Sequence, residues 1–160
     1  MRVLFIRHAE AVEATEFAGP DLKRPLTKPG IASATRAFKK LALILPKPDL
    51  VVSSQAVRAA ETADLFSAAF GIRSKTVSPH LNPGCGEEDF QALVAAWPKR
   101  TRYAVVVGHE PDVSHLVSWI TASGRLAMKV KKGACIEVEM DQKCRGLLRF
   151  AVPPELLAGK

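Results

Sequence analysis

The sequence predicts an α/β fold in which a single, mostly parallel sheet is flanked by helices and ends in an antiparallel pair of strands. Two observations support this prediction. Short apolar runs alternate with longer segments of helical periodicity through most of the chain, which is typical of parallel sheets with helical crossovers. The last two apolar runs flank the polar segment 141–146 and resemble a hairpin. At 160 residues we expect one domain, spanning 1–160.

The first half of the chain predicts two strands and two helices. Val3 to Ile6 is a continuous apolar run of the kind found in a strand that is covered on both faces. A polar loop follows, and Thr27 can then cap a helix that holds Pro29 in its first turn and ends before Pro46. The remaining elements of this half are a strand at 50–52 and a helix at 56–70, which Gly71 ends.

The second half continues the alternation and closes with the hairpin. Residues 75–78 predict a short third strand, and the segment 79–86 predicts a loop that is too short to cover a site as a lid. The later elements are a helix around 90–97, a strand at 103–107, a helix at 111–121 and hairpin strands at 134–140 and 147–152.

Composition excludes several classes of protein. A hydrophobic content of 48% with 24% charged residues is typical of a soluble globular protein, and no stretch of 18 apolar residues predicts a membrane span. The first apolar run is too short for an export signal. Three cysteines without paired spacing favour a reducing cytoplasm and indicate neither disulfides nor a zinc site. The net charge of +7 suits an anionic partner, but no aromatic residues interleave with the basic clusters, so we expect neither nucleic acid nor membrane binding.

Arginine and histidine residues follow three of the predicted strands. Arg7 and His8 end the first strand, Arg58 begins the helix after the second, and His109 follows the fourth. In open parallel sheets the carboxyl ends of the strands form the ligand-binding edge, so these side chains are expected to meet there. A neutral imidazole such as His8 can attack phosphorus, and guanidinium forks can hold phosphoryl oxygens. Arg58 lies in the first turn of its helix, where free amides favour anions.

Other interpretations of the same residues remain open. Taken singly, Arg58 fits a surface charge and His109 fits a structural histidine. A metallohydrolase using His8, His109 and a carboxylate is possible, although Arg7 and Arg58 would place cations beside the metal. A phosphoprotein-binding module without catalysis would use the same clamp, and a chelator test and a phosphate-release assay separate these alternatives.

The ordered set of motifs resembles the histidine phosphatase superfamily, also called phosphoglycerate-mutase-like. The motifs are Arg7-His8-Ala9-Glu10, the segment 58–63 that begins Arg58-Ala59-Ala60-Glu61, and Gly108-His109-Glu110-Pro111. The short chain and the segment Arg24-Pro25-Leu26-Thr27-Lys28-Pro29-Gly30 resemble the SixA branch of phosphohistidine phosphatases.

The resemblance implies a phosphatase that needs no metal and no cofactor. It implies that His8 becomes phosphorylated, and that Arg7, Arg58 and His109 bind the phosphate and stabilise the transition state. The general acid stays open among Asp21, Glu87, Glu88 and Glu110. A nitrogen leaving group needs little help from such an acid, so we expect phosphohistidine on a partner protein as the substrate, with a small phosphomonoester as the alternative. A mutase or bisphosphatase is disfavoured because no lid is evident, and the oligomeric state stays open.

Overall fold

The computed structural model describes residues 1–158, which form six strands and five α-helices. The strands are β1 (Arg2–Arg7), β2 (Leu50–Ser53), β3 (Thr76–Val77), β4 (Tyr103–Gly108), β5 (Cys135–Met140) and β6 (Gly146–Val152). The helices are α1 (Lys28–Ile44), α2 (Val57–Ala69), α3 (Glu87–Ala95), α4 (Asp112–Ala122) and α5 (Pro154–Ala158). Two short 3-10 turns occupy Asp21–Lys23 and Pro79–Leu81.

All six strands belong to one sheet in the order β3-β2-β4-β1-β5-β6. β3, β2, β4 and β1 pair in parallel, whereas β5 pairs antiparallel with both β1 and β6. The prediction of a mostly parallel sheet with an antiparallel C-terminal pair is therefore confirmed. The parallel ladder places Arg7 opposite Gly108, so the carboxyl ends of β1 and β4 lie side by side.

The alternation of side chains along β1 divides the apolar core between the two faces of the sheet. Val3 and Phe5 pack on the face covered by α3 and α4, where the rings of Phe5 and Phe90 lie 5.3 Å apart. Leu4 and Ile6 pack on the face covered by α1 and α2. Because both faces are covered, β1 is apolar along its whole interior, as the continuous run in the sequence indicates.

The predicted bounds of α1, α2 and α4 agree with the structure to within a residue or two, whereas α3 starts three residues earlier than the predicted helix around 90–97. The side chain of Thr27 accepts a hydrogen bond from the backbone N–H of Gly30 at 3.0 Å, which confirms it as the N-cap of α1. α5 was not predicted, because a helix of five residues is too short to show a periodic pattern. Trp97 lies beyond the end of α3, yet it stays in the core against Phe90.

Within residues 1–158, the structure contains no helix that combines the length and apolar character needed to cross a membrane.

Candidate active site

The carboxyl ends of three neighbouring strands bring the predicted site residues together. The backbone N–H of His8 donates to the carbonyl of Gly108 at 3.0 Å, so β1 and β4 stay paired up to the point where the two histidines follow. The N–H of Ser54 donates to the carbonyl of Val107 at 3.0 Å, which holds the end of β2 against β4. The rings of His8 and His109 lie 5.2 Å apart between centroids. Backbone pairing therefore sets the spacing of this site.

His8 is buried and its two ring nitrogens make different contacts. Nδ1 lies 2.8 Å from the carbonyl oxygen of Ala9, and because that oxygen only accepts, Nδ1 carries the proton. Nε2 accepts a hydrogen bond from Nε of Arg58 at 3.3 Å, so its lone pair faces the site. Burial, supported by the charges of Arg58 and Arg7, lowers the pKa of His8 to about 4. The ring is therefore neutral at physiological pH.

Arg58 lies in the first turn of α2 and is only 4% exposed. Beyond its contact with His8, one terminal nitrogen donates to the backbone carbonyl of Asp21 at 2.8 Å and the other to the Asp21 carboxylate at 2.9 Å. Hydrogen bonds from Arg24 and then from Arg58 hold the pKa of that carboxyl below its usual range. The carboxylate of Asp21 thus occupies the guanidinium fork of Arg58. This fork is the group that we expect to bind a phosphate.

Arg7 ends β1 and lines a groove of about 800 Å³. One terminal nitrogen donates to the carbonyl of Val130 at 2.7 Å. Its Nε is buried and has no hydrogen-bond partner among residues 1–158. The groove continues along Gly30 and the lysines of the loop at 129–132. Three glutamates, Glu10, Glu110 and Glu155, line the same groove, so Arg7 is the one predicted site residue on a surface of mixed charge.

His109 follows β4 and is 3% exposed. Its Nε2 lies 2.9 Å from the hydroxyl of Ser54, and its buried Nδ1 contacts no hydrogen-bond partner within the described chain. Burial, with the neighbouring His8 and Arg58, lowers the pKa of His109 to about 3. His109 is therefore neutral on its own at physiological pH, and the protonated form expected beside a phosphoryl oxygen requires a bound anion.

One face of α2 holds the loop that follows His8. The hydroxyl of Thr62 accepts from the backbone N–H of Ala9 at 3.0 Å, and the carboxylate of Glu61 accepts from the N–H of Leu26 at 2.7 Å. Together with Arg58 these residues occupy positions i, i+3 and i+4, which share a helix face. Sequence analysis missed the roles of Glu61 and Thr62. The signal for them was this polar spacing on a helix that is otherwise largely apolar.

The structure separates the four candidate acids. Asp21 alone contacts a clamp residue, and Arg24 and Arg58 favour its ionised form. Glu110 lines the groove beside Arg7 and accepts the backbone N–H of Ser114 at 2.9 Å. Glu87 pairs with His115 at 3.4 Å, and Glu88 is exposed on α3.

The other two histidines lie outside the strand-end cluster. His80 pairs with Asp89 at 3.2 Å, and His115 pairs with Glu87, so each has an acidic partner. For His115 that partner is distant in sequence. Cys135 is fully buried in the core, as expected from its position on a predicted strand.

A comparison of the sequence with family models agrees with the site that the geometry indicates. The model of the histidine phosphatase superfamily (branch 1) matches residues 3–91, which is more than half of the chain. This chain belongs to the histidine phosphatase superfamily. Of the predicted site residues, Arg7, His8 and Arg58 lie within the matched segment, and His109 lies beyond it. A comparison with curated proteins gives no match.

Solved structures extend the superfamily likeness over nearly the whole chain. The protein histidine phosphatase SixA in complex with tungstate is 25% identical, with a TM-score of 0.84, and the match covers 98% of this chain and 99% of that one. A candidate SixA from Nakamurella multipartitia is 28% identical at a TM-score of 0.73, covering 96% and 95%. A candidate SixA from Agrobacterium tumefaciens shares the fold at 24% identity and a TM-score of 0.80, covering 96% and 97%. His109 therefore lies within the structural match even though it falls outside the family model.

Proposed function

We propose that this histidine phosphatase removes phosphate from phosphohistidine on a partner protein through a phosphorylated His8. The observation that carries the proposal is the state of the His8 ring. Nδ1 donates to the carbonyl of Ala9, so Nε2 presents a lone pair toward the buried guanidinium of Arg58. A neutral imidazole with a defined tautomer beside a cation has the properties that nucleophilic attack on an anionic phosphoryl group requires.

The reaction has two balanced steps. In the first, Nε2 of His8 forms a bond to phosphorus while the phosphorus–nitrogen bond of the substrate breaks, and the leaving imidazole departs neutral when its other nitrogen is protonated. In the second, water attacks phosphorus, the bond to Nε2 breaks, and orthophosphate and His8 are released. Arg7, Arg58 and His109 bind the phosphoryl oxygens and stabilise charge in both transition states.

The phosphate must first gain access to Arg58, whose terminal nitrogens contact Asp21. Asp21 is half-exposed and lies in the loop after His8, so it can leave the fork when a dianion with more negative charge arrives. An ionised Asp21 is a poor proton donor. This favours a leaving group that needs no protein acid, and a phosphorylated imidazole is such a group.

The open groove supports a protein substrate. It begins at Arg7, holds about 800 Å³, and is bordered by Lys129, Lys131 and Lys132. A phosphohistidine projecting from a folded partner needs an approach of this width, whereas a small sugar phosphate gains most from an enclosed pocket. SixA structures at 25% and 28% identity give further support, because their names assign them to histidine phosphatases acting on protein or phosphohistidine.

The test compares kcat/KM for a phosphohistidine-bearing protein with kcat/KM for 3-phosphoglycerate, both measured in chelator. We expect a clear preference for the phosphohistidine protein, full activity in chelator, and labelled phosphate trapped on His8. His8→Ala is expected to abolish turnover and labelling while its circular dichroism spectrum stays unchanged.

Each contrary outcome has a distinct meaning. Label on another residue contradicts the nucleophile assignment. Loss of activity in chelator supports the metallohydrolase. A preference for 3-phosphoglycerate contradicts the substrate while leaving the His8 mechanism intact. Phosphate binding without release indicates the binding module.

A further inference from the structure

A chain of hydrogen bonds leads from His109 away from His8. Nε2 of His109 lies 2.9 Å from Oγ of Ser54, and that hydroxyl donates to Oδ1 of Asn82 at 3.0 Å. Asn82 in turn donates from Nδ2 to Oε1 of Gln55 at 2.9 Å. These residues come from the ends of β4 and β2 and from the segment after the 3-10 turn at 79–81. Ser54 itself is fully buried.

Backbone groups determine the direction of each hydrogen bond. The N–H of Gln55 donates to Oδ1 of Asn82 at 3.0 Å, so this atom of the amide must be the oxygen. The N–H of Ala56 donates to Oγ of Ser54 at 3.1 Å. Ser54 has a single hydroxyl proton, and Oδ1 of Asn82 accepts it. The oxygen of Ser54 therefore serves His109 as an acceptor, and Nε2 of His109 carries the proton.

The opposite proton arrangement is unfavourable for a second reason. If Ser54 donated to Nε2, the neutral ring would carry its proton on Nδ1, which is buried and has no acceptor anywhere in residues 1–158. A buried N–H without an acceptor bears a full desolvation penalty, and the nearby charge of Arg58 would repel it further. A lone pair at the same position avoids that repulsion.

We propose that Ser54 and Asn82 are positioning residues that hold His109 as the Nε2–H tautomer, so that binding of a phosphoryl group adds a proton at Nδ1. The inference rests on the proposed function. Because Nε2 is bound to Ser54, Nδ1 is the only ring nitrogen left for a phosphoryl oxygen. His109 forms no bond to phosphorus. The proton comes from water or from a substrate monoanion, and it returns to water when orthophosphate leaves.

The charges around His109 determine when the ring takes up this proton. His8, Arg58 and Arg24 disfavour a further positive charge on the ring, and Asp21 favours it. Asp112 lines the same small cavity as His109, and its carboxylate accepts the backbone N–H of Gly84 at 2.9 Å. Without a bound anion the balance of these charges keeps the ring neutral. A bound phosphate dianion reverses the balance, and Ser54 then stabilises the cation through the Nε2–H bond.

Nitrogen-15 NMR of histidine-labelled protein tests the tautomer directly, and the chain has only four histidines to assign. In the free protein we expect His109 to have an unprotonated Nδ1 and a protonated Nε2. Saturation with inorganic phosphate at pH 8 should give a protonated Nδ1 as well. Titration calorimetry in buffers of different ionisation enthalpy should then record uptake of close to one proton per phosphate bound.

Ser53→Ala is the matched control for Ser54→Ala. Ser53 is equally buried, precedes Ser54 directly, and its hydroxyl has no partner within the described residues. Ser54→Ala and Asn82→Leu should lower kcat roughly tenfold and move the alkaline limb of the kcat profile down by about one pH unit, the effect of losing one hydrogen bond to a charged ring. Asn82→Asp keeps an acceptor for Ser54 and should restore most of the wild-type profile.

Two results overturn the inference. One is an Nδ1–H tautomer of His109 in the free protein, and the other is an unchanged alkaline limb in both Ser54→Ala and Asn82→Leu. The NMR readout does not depend on turnover. A protein with the expected tautomer that takes up a proton with phosphate yet releases none from any substrate contradicts the proposed function alone.

Discussion

At the residue scale, the proposed site consists of two neutral histidines and two arginines whose contacts define their chemistry. His8 and His109 follow paired strands, so their separation depends on backbone hydrogen bonds. Arg58 contacts His8 and Asp21 from a buried position on α2. A substitution that removes one of these buried contacts should therefore change activity without changing the fold.

Arg58 offers the sharpest single-residue prediction. Arg58→Ala should reduce turnover of the phosphohistidine protein by roughly a hundredfold or more, because a preorganised donor to the transition state is lost. Arg58→Lys should restore little, since an ammonium is a compact point charge and cannot reproduce the planar, bidentate fork of the guanidinium. The measurement is single-turnover kinetics. Arg36→Ala, on the outer helix α1, is the control, and near-normal rates for Arg58→Ala would contradict a catalytic role for this arginine.

The two buried histidines predict how stability depends on pH. Their pKa values are lowered to about 4 and about 3, so between pH 6.5 and pH 4 the unfolded chain binds protons that the folded chain does not. The free energy of unfolding should therefore fall as the pH drops, by about 1.4 kcal/mol per pH unit for each histidine. Urea titrations at several pH values measure this slope. His8→Asn should give a shallower slope, and equal slopes would contradict the assignment.

At the element scale, helices α1 and α2 hold the loop after His8 from two sides. Glu61 and Thr62 of α2 bind backbone N–H groups of that loop. The N-terminus of α1 meets the same loop, because the backbone N–H of Thr27 donates to the carbonyl of Glu10 at 3.0 Å. The position of His8, the proposed nucleophile, thus depends on how these helices pack, and a change in that packing is expected to alter catalysis.

Gly30 provides the test at this scale. A Cβ at Gly30 would lie 2.2 Å from the backbone oxygen of Glu10, so the loop or the helix must shift. Gly30→Ala should cost roughly 1–3 kcal/mol of unfolding free energy, as overpacking does, and should lower kcat by displacing the loop after His8. Gly86→Ala is the control, because a Cβ there meets nothing within 4 Å. Wild-type stability and kcat in Gly30→Ala would contradict this packing account.

At the scale of the whole molecule, the net charge of +7 and the lysines along the groove favour an anionic partner. The groove begins at Arg7, which is at the site, and continues along the loop at 129–132. Arg7 and the three lysines of this loop share the groove with Glu10, Glu110 and Glu155. A net positive charge on the protein raises the association rate of an oppositely charged partner, and salt screens that effect.

Salt should therefore lower kcat/KM for a phosphoprotein several-fold between low and physiological ionic strength, while kcat changes little. Lys129→Gln, at the groove, should reduce both kcat/KM and its salt dependence. Lys99→Gln removes the same charge from the loop before β4, at the opposite edge of the sheet, and should leave both unchanged. Equal effects of the two substitutions would contradict a docking role for the groove.

The sequence by itself determined the order of the elements, the sheet type and which strand ends carry Arg7, His8, Arg58 and His109. These features follow from local patterns, because apolar periodicity and capping residues act within a few positions. The tertiary structure alone decided the proton positions on both histidines, the pairing of Arg58 with Asp21, and the hydrogen bond from His109 to Ser54. The partners in these last two contacts lie 37 and 55 positions apart, and only the register of the sheet and the packing of α2 bring them within hydrogen-bonding distance.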